Sequence, residues 1–173
     1  MRTRTRTTWA SGAAAAGLTA ALAFTSPAAA DSASGTTDQA QTATHCVQIL
    51  AELEPGQKVS RTVSHRCFTG PSAAEQAKSA APAASVELMT WATDINYGGE
   101  YTHVYGGAAC DSAGYSFSPN SWWSSRLSSY LVSGGCTMSF ARGDRGNATF
   151  TGDVPYVGAQ LNDDIDYIKI WRG

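Results

Sequence analysis

The chain has 173 residues, with 12 lysines and arginines against 14 aspartates and glutamates. Three of the cations, Arg2, Arg4 and Arg6, lie in the first six positions, and no acid precedes Asp31. Without that segment the balance is 9 against 14, a net charge of −5, which offers little to a phosphate backbone or an anionic membrane and disfavours nucleic-acid binding.

Residues 1–30 carry the features of an export signal. A positive start is followed by an apolar run from Ala13 to Phe24 and by Ser26-Pro27-Ala28-Ala29-Ala30. This is the order of a secretory signal peptide with cleavage after Ala30. The apolar run is shorter than the roughly 20 residues a membrane span requires. The arginines alternate with threonine, so no twin-arginine pair is present. The expectation is an extracellular, secreted protein, free of the membrane after cleavage and monomeric.

Residues 31–44 are rich in Ser, Thr, Gln, Ala and Gly and read as disordered. Two apolar stretches follow, Cys46–Leu50 and Val59–Val63, around Pro55-Gly56. The midpoint of Cys46 and Cys67 falls between Gly56 and Gln57, so a hairpin over residues 45–69 that turns there would set the two cysteines opposite each other. Four cysteines, Cys46, Cys67, Cys110 and Cys136, read as two disulfides with three possible connectivities. Cys46–Cys67 and Cys110–Cys136 are favoured because each pair stays within one compositional segment. Zinc is the rival reading, with His45 and His65 close to Cys46 and Cys67, but no Cys-x-x-Cys spacing accompanies them. Ser72-Ala-Ala-Glu75 matches a capping box ahead of an alanine-rich stretch that Pro82 stops. Residues 70–85 are thus a short helix or an unstructured linker.

From Val86 onward, short runs such as Glu87–Trp91, Glu100–Tyr105 and Tyr167–Trp171 alternate with Gly, Ser, Asn and Asp turns. Such spacing predicts an all-β sandwich over residues 86–173, enough chain for one domain. Two parts of this segment repeat. Residues 94–101 lie over 143–150 at an offset of 49, and 124–132 over 162–170 at an offset of 38. Two copies of one supersecondary unit bury their apolar faces against each other.

At these residues the sequence resembles the microbial βγ-crystallin family, whose domain is a sandwich of two Greek-key motifs. The family's hairpin carries two aromatics and a glycine. Its loop signature is Asn/Asp-Asn/Asp-x-x-Ser/Thr-Ser before an apolar strand. Tyr97, Gly99 and Ser128-Ser129 match in the first copy, and Phe140 and Asn162-Asp163-Asp164-Ile165 in the second, with Val154–Gly158 as the approach to the loop. The departures are Ala92 where an aromatic is expected, Trp91 one position off, Arg145 for an aromatic, and Asn147 for the glycine, which asparagine can replace at positive φ. Ser124-Ser125 and Asp166-Tyr167 also depart from the loop signature.

In calcium-binding members the resemblance implies two sites, each shared between the loops. One would use Ser128, the Arg126 carbonyl and Asp163. The other would use Asp166, the Asp164 carbonyl and Ser125. Hard oxygen donors suit Ca²⁺, and weak binding is expected, at one site rather than two. The competing reading makes Asn162–Asp164 an acidic surface turn. Of the adjacent Trp122 and Trp123, one would enter the core and one, beside Tyr115, could anchor a partner or a sugar ring. His103 alternates with Tyr101 and Tyr105 on one strand face near Glu100. No nucleophile elbow or histidine metal motif accompanies it, and no catalytic residues are assigned. The functional expectation is a secreted, non-enzymatic protein. The resemblance implies a metalloproteinase inhibitor, with a calcium-stabilised structural or cell-surface protein and a killer-toxin-like or glycan-binding effector as alternatives.

Overall fold

The computed structural model describes residues 43–173. The expected export signal, and residues 31–42 of the stretch read as disordered, lie outside the described residues. Thr44 belongs instead to the first strand. The elements in chain order are β1 Thr44–Leu50, β2 Thr62–Thr69, α1 Ala73–Ala80, β3 Val86–Ala92, β4 Tyr101–Gly106, β5 Tyr115–Phe117, α2 Ser121–Ser124, β6 Ser129–Val132, β7 Met138–Gly143, β8 Gly146–Thr151 and β9 Ile165–Trp171. They form a five-stranded sheet in the order β2-β1-β4-β3-β6 and a four-stranded sheet in the order β5-β9-β7-β8. The chain is all-β, as its turn spacing predicts.

Two units of the same design are visible in the pairings. In the first, β3 and β4 form a hairpin, β6 lies beside β3, and β5 crosses to pair with β9 of the other sheet. In the second, β7 and β8 form the hairpin, β9 lies beside β7, and Val154 crosses back to bridge Tyr130. Each unit lends its third strand to the opposite sheet, the Greek-key order of a hairpin with a returning fourth strand. The equivalence is less regular than the sequence offset suggests. Trp91, opposite Tyr130 and Thr102, corresponds to Ala141, opposite Ile168 and Ala148. The offset of 38 at the fourth strands therefore stands, but the first hairpin is longer than the second, and no single offset fits both of its strands. Asn147 sits within β8 and has no positive φ, so its expected stand-in for glycine does not occur.

Alternation puts Met89, Trp91, Val104 and Tyr130 of one sheet against Tyr115, Phe117, Ala141, Ile168 and Ile170 of the other. Trp91, Phe117 and Trp123 cluster with ring centroids 5.5–5.8 Å apart. Burial of each such side chain contributes about 1.5–3 kcal/mol before conformational entropy is counted. The Tyr130 hydroxyl meets Ser139 Oγ at 2.8 Å inside this core, and burial raises its pKa.

The amino-terminal hairpin is continuous with the sandwich. Cys46 lies opposite Cys67 with a Cα separation of 4.0 Å and is bonded to it. Cys110 joins Cys136, so both disulfides are the favoured pairs. β1 then runs parallel to β4, from His45 beside Tyr101 to Leu50 beside Gly106. A parallel pair needs a crossover, and β2 with α1 supplies it. The helix covers Val47, Ile49, Phe68 and Tyr105 with Ala77 and Ala80. It stops at Ala81, which is extended ahead of Pro82, as a residue before proline prefers. The capping box does not form. Ser72 makes no side-chain cap, and its hydroxyl accepts instead from Gln76 Nε2 at 2.8 Å. The apolar stretch Val59–Val63 is also not one strand. Ser60 donates its N–H to the Ser116 carbonyl at 2.6 Å, and this loop thereby covers the outer edge of β5.

Candidate functional site

The two signature loops lie against each other. Asp163 donates its N–H to the Leu127 carbonyl at 3.2 Å, and its φ of 58° is in the left-handed region, which Asp tolerates better than most residues. A cleft of about 310 Å³ opens between them, lined by Thr93, Asp94, Glu100, Ser125, Arg126 and Asp163. Three carboxylates and two hydroxyls face it. Arg126 shares this lining, with its guanidinium 4.5 Å from the Trp122 ring centroid and bonded to the Trp122 carbonyl at 3.2 Å and to Ser125 Oγ at 3.3 Å. The first hairpin is fastened to this rim by Ser129, whose buried hydroxyl accepts from Tyr97 N at 2.9 Å and donates to the Asp94 carbonyl at 2.5 Å. Glu100 accepts from the Thr44 N–H at 2.7 Å, tying β1 to the same rim. The donor set is hard oxygen with excess negative charge, the chemistry that calcium takes, although its three carboxylates do not all lie within ligand reach of one another.

The equivalent rim of the second copy is occupied by cations of the protein itself. Asp164 Oδ2 accepts from Arg145 N at 2.8 Å and lies 3.3 Å from Arg145 Nε, and the Arg145 guanidinium also bonds the Asn162 carbonyl. Asp166 pairs with Arg142 at 3.2 Å. Gly143 allows this closure, since a Cβ there would overlap the Asp164 carbonyl. These residues do not fit a second calcium ion, because two guanidinium groups already neutralise the loop. The structure thus separates the six expected ligand residues. Asp163, Ser125 and Arg126 line one cleft, and Asp164 and Asp166 are engaged by arginines. Ser128 is buried, with its N–H on Ala92 O and its carbonyl on Val157 N, each at 3.0 Å. Sequence reasoning missed Asp94 and Glu100. Their signal was present, since both flank the Tyr97–Gly99 hairpin that the loop must touch.

The proposed partner contact changes more. Trp122 and Trp123 lie on α2, where successive side chains differ by about 100° and need not point to opposite sides. Asn120 Oδ1 caps that turn by accepting from both of their N–H groups at 3.1 Å. Trp123 and Tyr115 are fully buried, and the Tyr115 hydroxyl donates to the Ala108 carbonyl at 2.8 Å. Neither can meet a partner. Trp122 is half-buried beneath Arg126.

Cys46, Cys67 and His65 lie within ligand reach of one another, but the disulfide consumes both sulfurs, which ends the zinc reading. His103 sits on the outer face of the five-stranded sheet. Its Nδ1 is 2.8 Å from Glu87 Oε1 and 3.2 Å from Thr90 Oγ1. The histidine contact holds the Glu87 carboxyl below its usual pKa. Since one ring nitrogen serves both neighbours, the imidazole does not stand between an acid and a hydroxyl as a triad base would.

No family model and no curated protein matches this chain. Solved structures do. A nickel-bound double mutant of clostrillin is 22 % identical, with a TM-score of 0.36 over 50 % of this chain and 99 % of its own. A βγ-crystallin domain from Clostridium beijerinckii is 21 % identical, with a TM-score of 0.34 over 49 % of this chain and 98 % of its own. Half of this chain is therefore similar to solved βγ-crystallin domains, at low identity.

Proposed function

We propose that this is a secreted, non-enzymatic β module that takes one calcium ion, weakly, in the cleft between residues 93–100, 125–126 and Asp163. The observation that supports this reading is the unlike charge at the two loops. The first rim gathers Asp94, Glu100 and Asp163 against the single guanidinium of Arg126, which stacks on Trp122, while the second pairs each acid with an arginine. The two disulfides, with no free cysteine among the described residues, support export to an oxidising compartment. The burial of Tyr115 and Trp123 weighs against the glycan-binding reading. Inhibition of a metalloproteinase rests on the resemblance alone.

Melting the protein in millimolar calcium and in chelator tests the proposal. A ligand of the native state present at about ten times its Kd adds about 1.4 kcal/mol, a rise of about 3–6 °C for a domain of this size. Asp163→Asn should remove that rise. An unchanged midpoint in the parent protein would overturn the calcium reading.

A further inference from the structure

We propose that the open edge of β2, together with the groove between β2 and α1, docks an extended acidic segment of a partner protein as an added strand. β2 ends its sheet, and its residues are mostly exposed. The other sheet ends differ. β6 is bridged by Val154, β5 is covered by Ser60, and β8 carries no charged residue.

The register shows what the β2 edge offers. The Cys46–Cys67 pair has a Cα separation of 4.0 Å, the close spacing of a non-hydrogen-bonded antiparallel pair. Ser64, Arg66 and Phe68 therefore turn their backbone groups toward β1. His65, Cys67 and Thr69 turn theirs outward, where an added strand would pair with them, while Val63 falls at the register shift between Ile49 and Leu50. The cross-strand disulfide holds this edge in its paired shape, which lowers the ordering cost of binding.

Beside the edge runs a groove of about 320 Å³, lined by Arg66, Phe68, Glu75, Gln76, Ser79 and Ala80. Alternate side chains of a docked strand would point into it, one onto the Phe68 ring and one toward Arg66. Charge selects the occupant. Residues 58–69 hold Lys58, Arg61 and Arg66 and no carboxylate, against one acid in the groove, Glu75, in a chain with an acidic net charge. A second copy would bring the same cations to the same edge, so self-pairing is disfavoured. An acidic strand is favoured.

The full chain should be titrated with a blocked eight-residue peptide alternating Glu and Val, and with its Lys–Val analogue. The acidic peptide should bind roughly tenfold more tightly, and Arg66→Glu should reverse that order. Amide exchange should slow at His65, Cys67 and Thr69 but not at Ser64, Arg66 and Phe68. His65→Pro deletes one outward N–H while sparing the bonds to β1. It should weaken binding about fivefold with the melting profile intact. Three results would overturn the proposal: neither peptide slowing any β2 amide at millimolar concentration, equal binding of both peptides, or the alternating protection already present in peptide-free protein that sediments as a dimer.

Discussion

The two Greek-key units share one strand order but fasten their hairpins to their loops by different chemistry. In the first, an uncharged hydroxyl, Ser129, bonds the hairpin backbone, and the carboxylates nearby face an open cleft. In the second, Arg145 and Arg142 reach across to Asp164 and Asp166. A loop crowded with oxygen donors must be neutralised by something. One copy pairs each acid with an arginine, and the other sets three carboxylates against Arg126 alone. The contrast also runs through the core. The first unit supplies Trp91, Phe117, Trp123 and Tyr130, whereas the second supplies Ala141, Ile165, Ile168 and Ile170.

The largest expected effect comes from breaking the second closure. Gly143→Ala would drive a Cβ into the Asp164 backbone and should cost about 3 kcal/mol or more in urea unfolding. Gly99→Ala, with φ at 84° and only the Thr93 and Asp94 side chains in its way, should cost about 1–2 kcal/mol. Next, Asp164→Ala removes the acceptor of the Arg145 N–H and leaves its guanidinium only the Asn162 carbonyl, and should cost about 2 kcal/mol, against about 1–1.5 kcal/mol for Ser129→Ala. Equal costs would show that the two fastenings are equivalent, and a reversed order that the hydroxyl is the stronger. Third, Arg142→Ala with Arg145→Ala should make the second copy resemble the first. The double variant should gain a further calcium-dependent rise in melting temperature, of about 1 kcal/mol at saturating ion.

The smallest effect is that of pH, and it falls on the first unit's sheet. Burial, then His103, lowers the pKa of His45 below 6.5, so the unfolded chain protonates first and stability falls as pH drops below about 6.5. Glu87, also lowered, adds a second fall as pH drops below its unfolded value near 4.5 and on through its lower folded one. His45→Gln should flatten the first fall and Glu87→Gln the second. Acid should loosen amide protection around β1 and β4 before that around β7 and β9.

The turn spacing and the repeat made the sandwich legible, because period and Gly/Asn placement are local properties. The disulfide pairs were legible for the same reason. The parallel docking of β1 on β4 was not, since no local signal marks which edge an amphipathic strand will join. At the cleft, the two loops singled out in the sequence supply Asp163, Ser125 and Arg126, although Ser125 was expected at the other site, and the arginine closure was hidden. Arg142 and Arg145 reach their acids 24 and 19 residues away in sequence, through a hairpin whose length had to be known first. The aromatic trio failed because burial is a tertiary property. Tyr115 and Trp123 face inward only because β5 and α2 pack beneath the exchanged strands.

The parallel pairing of β1 with β4 also fixes an order of assembly. Thr44 and Glu100 stand 56 residues apart, so β1 and β2 can zip and oxidise long before a docking surface for them exists. Until β3 and β4 have paired, that hairpin is a small closed ring with apolar Val47 and Ile49 unburied. Non-local docking of this kind is slow to nucleate, so the ring is expected to attach late, after the sheet it joins has formed. A chaperone or an aggregating neighbour would meet the molecule during that wait.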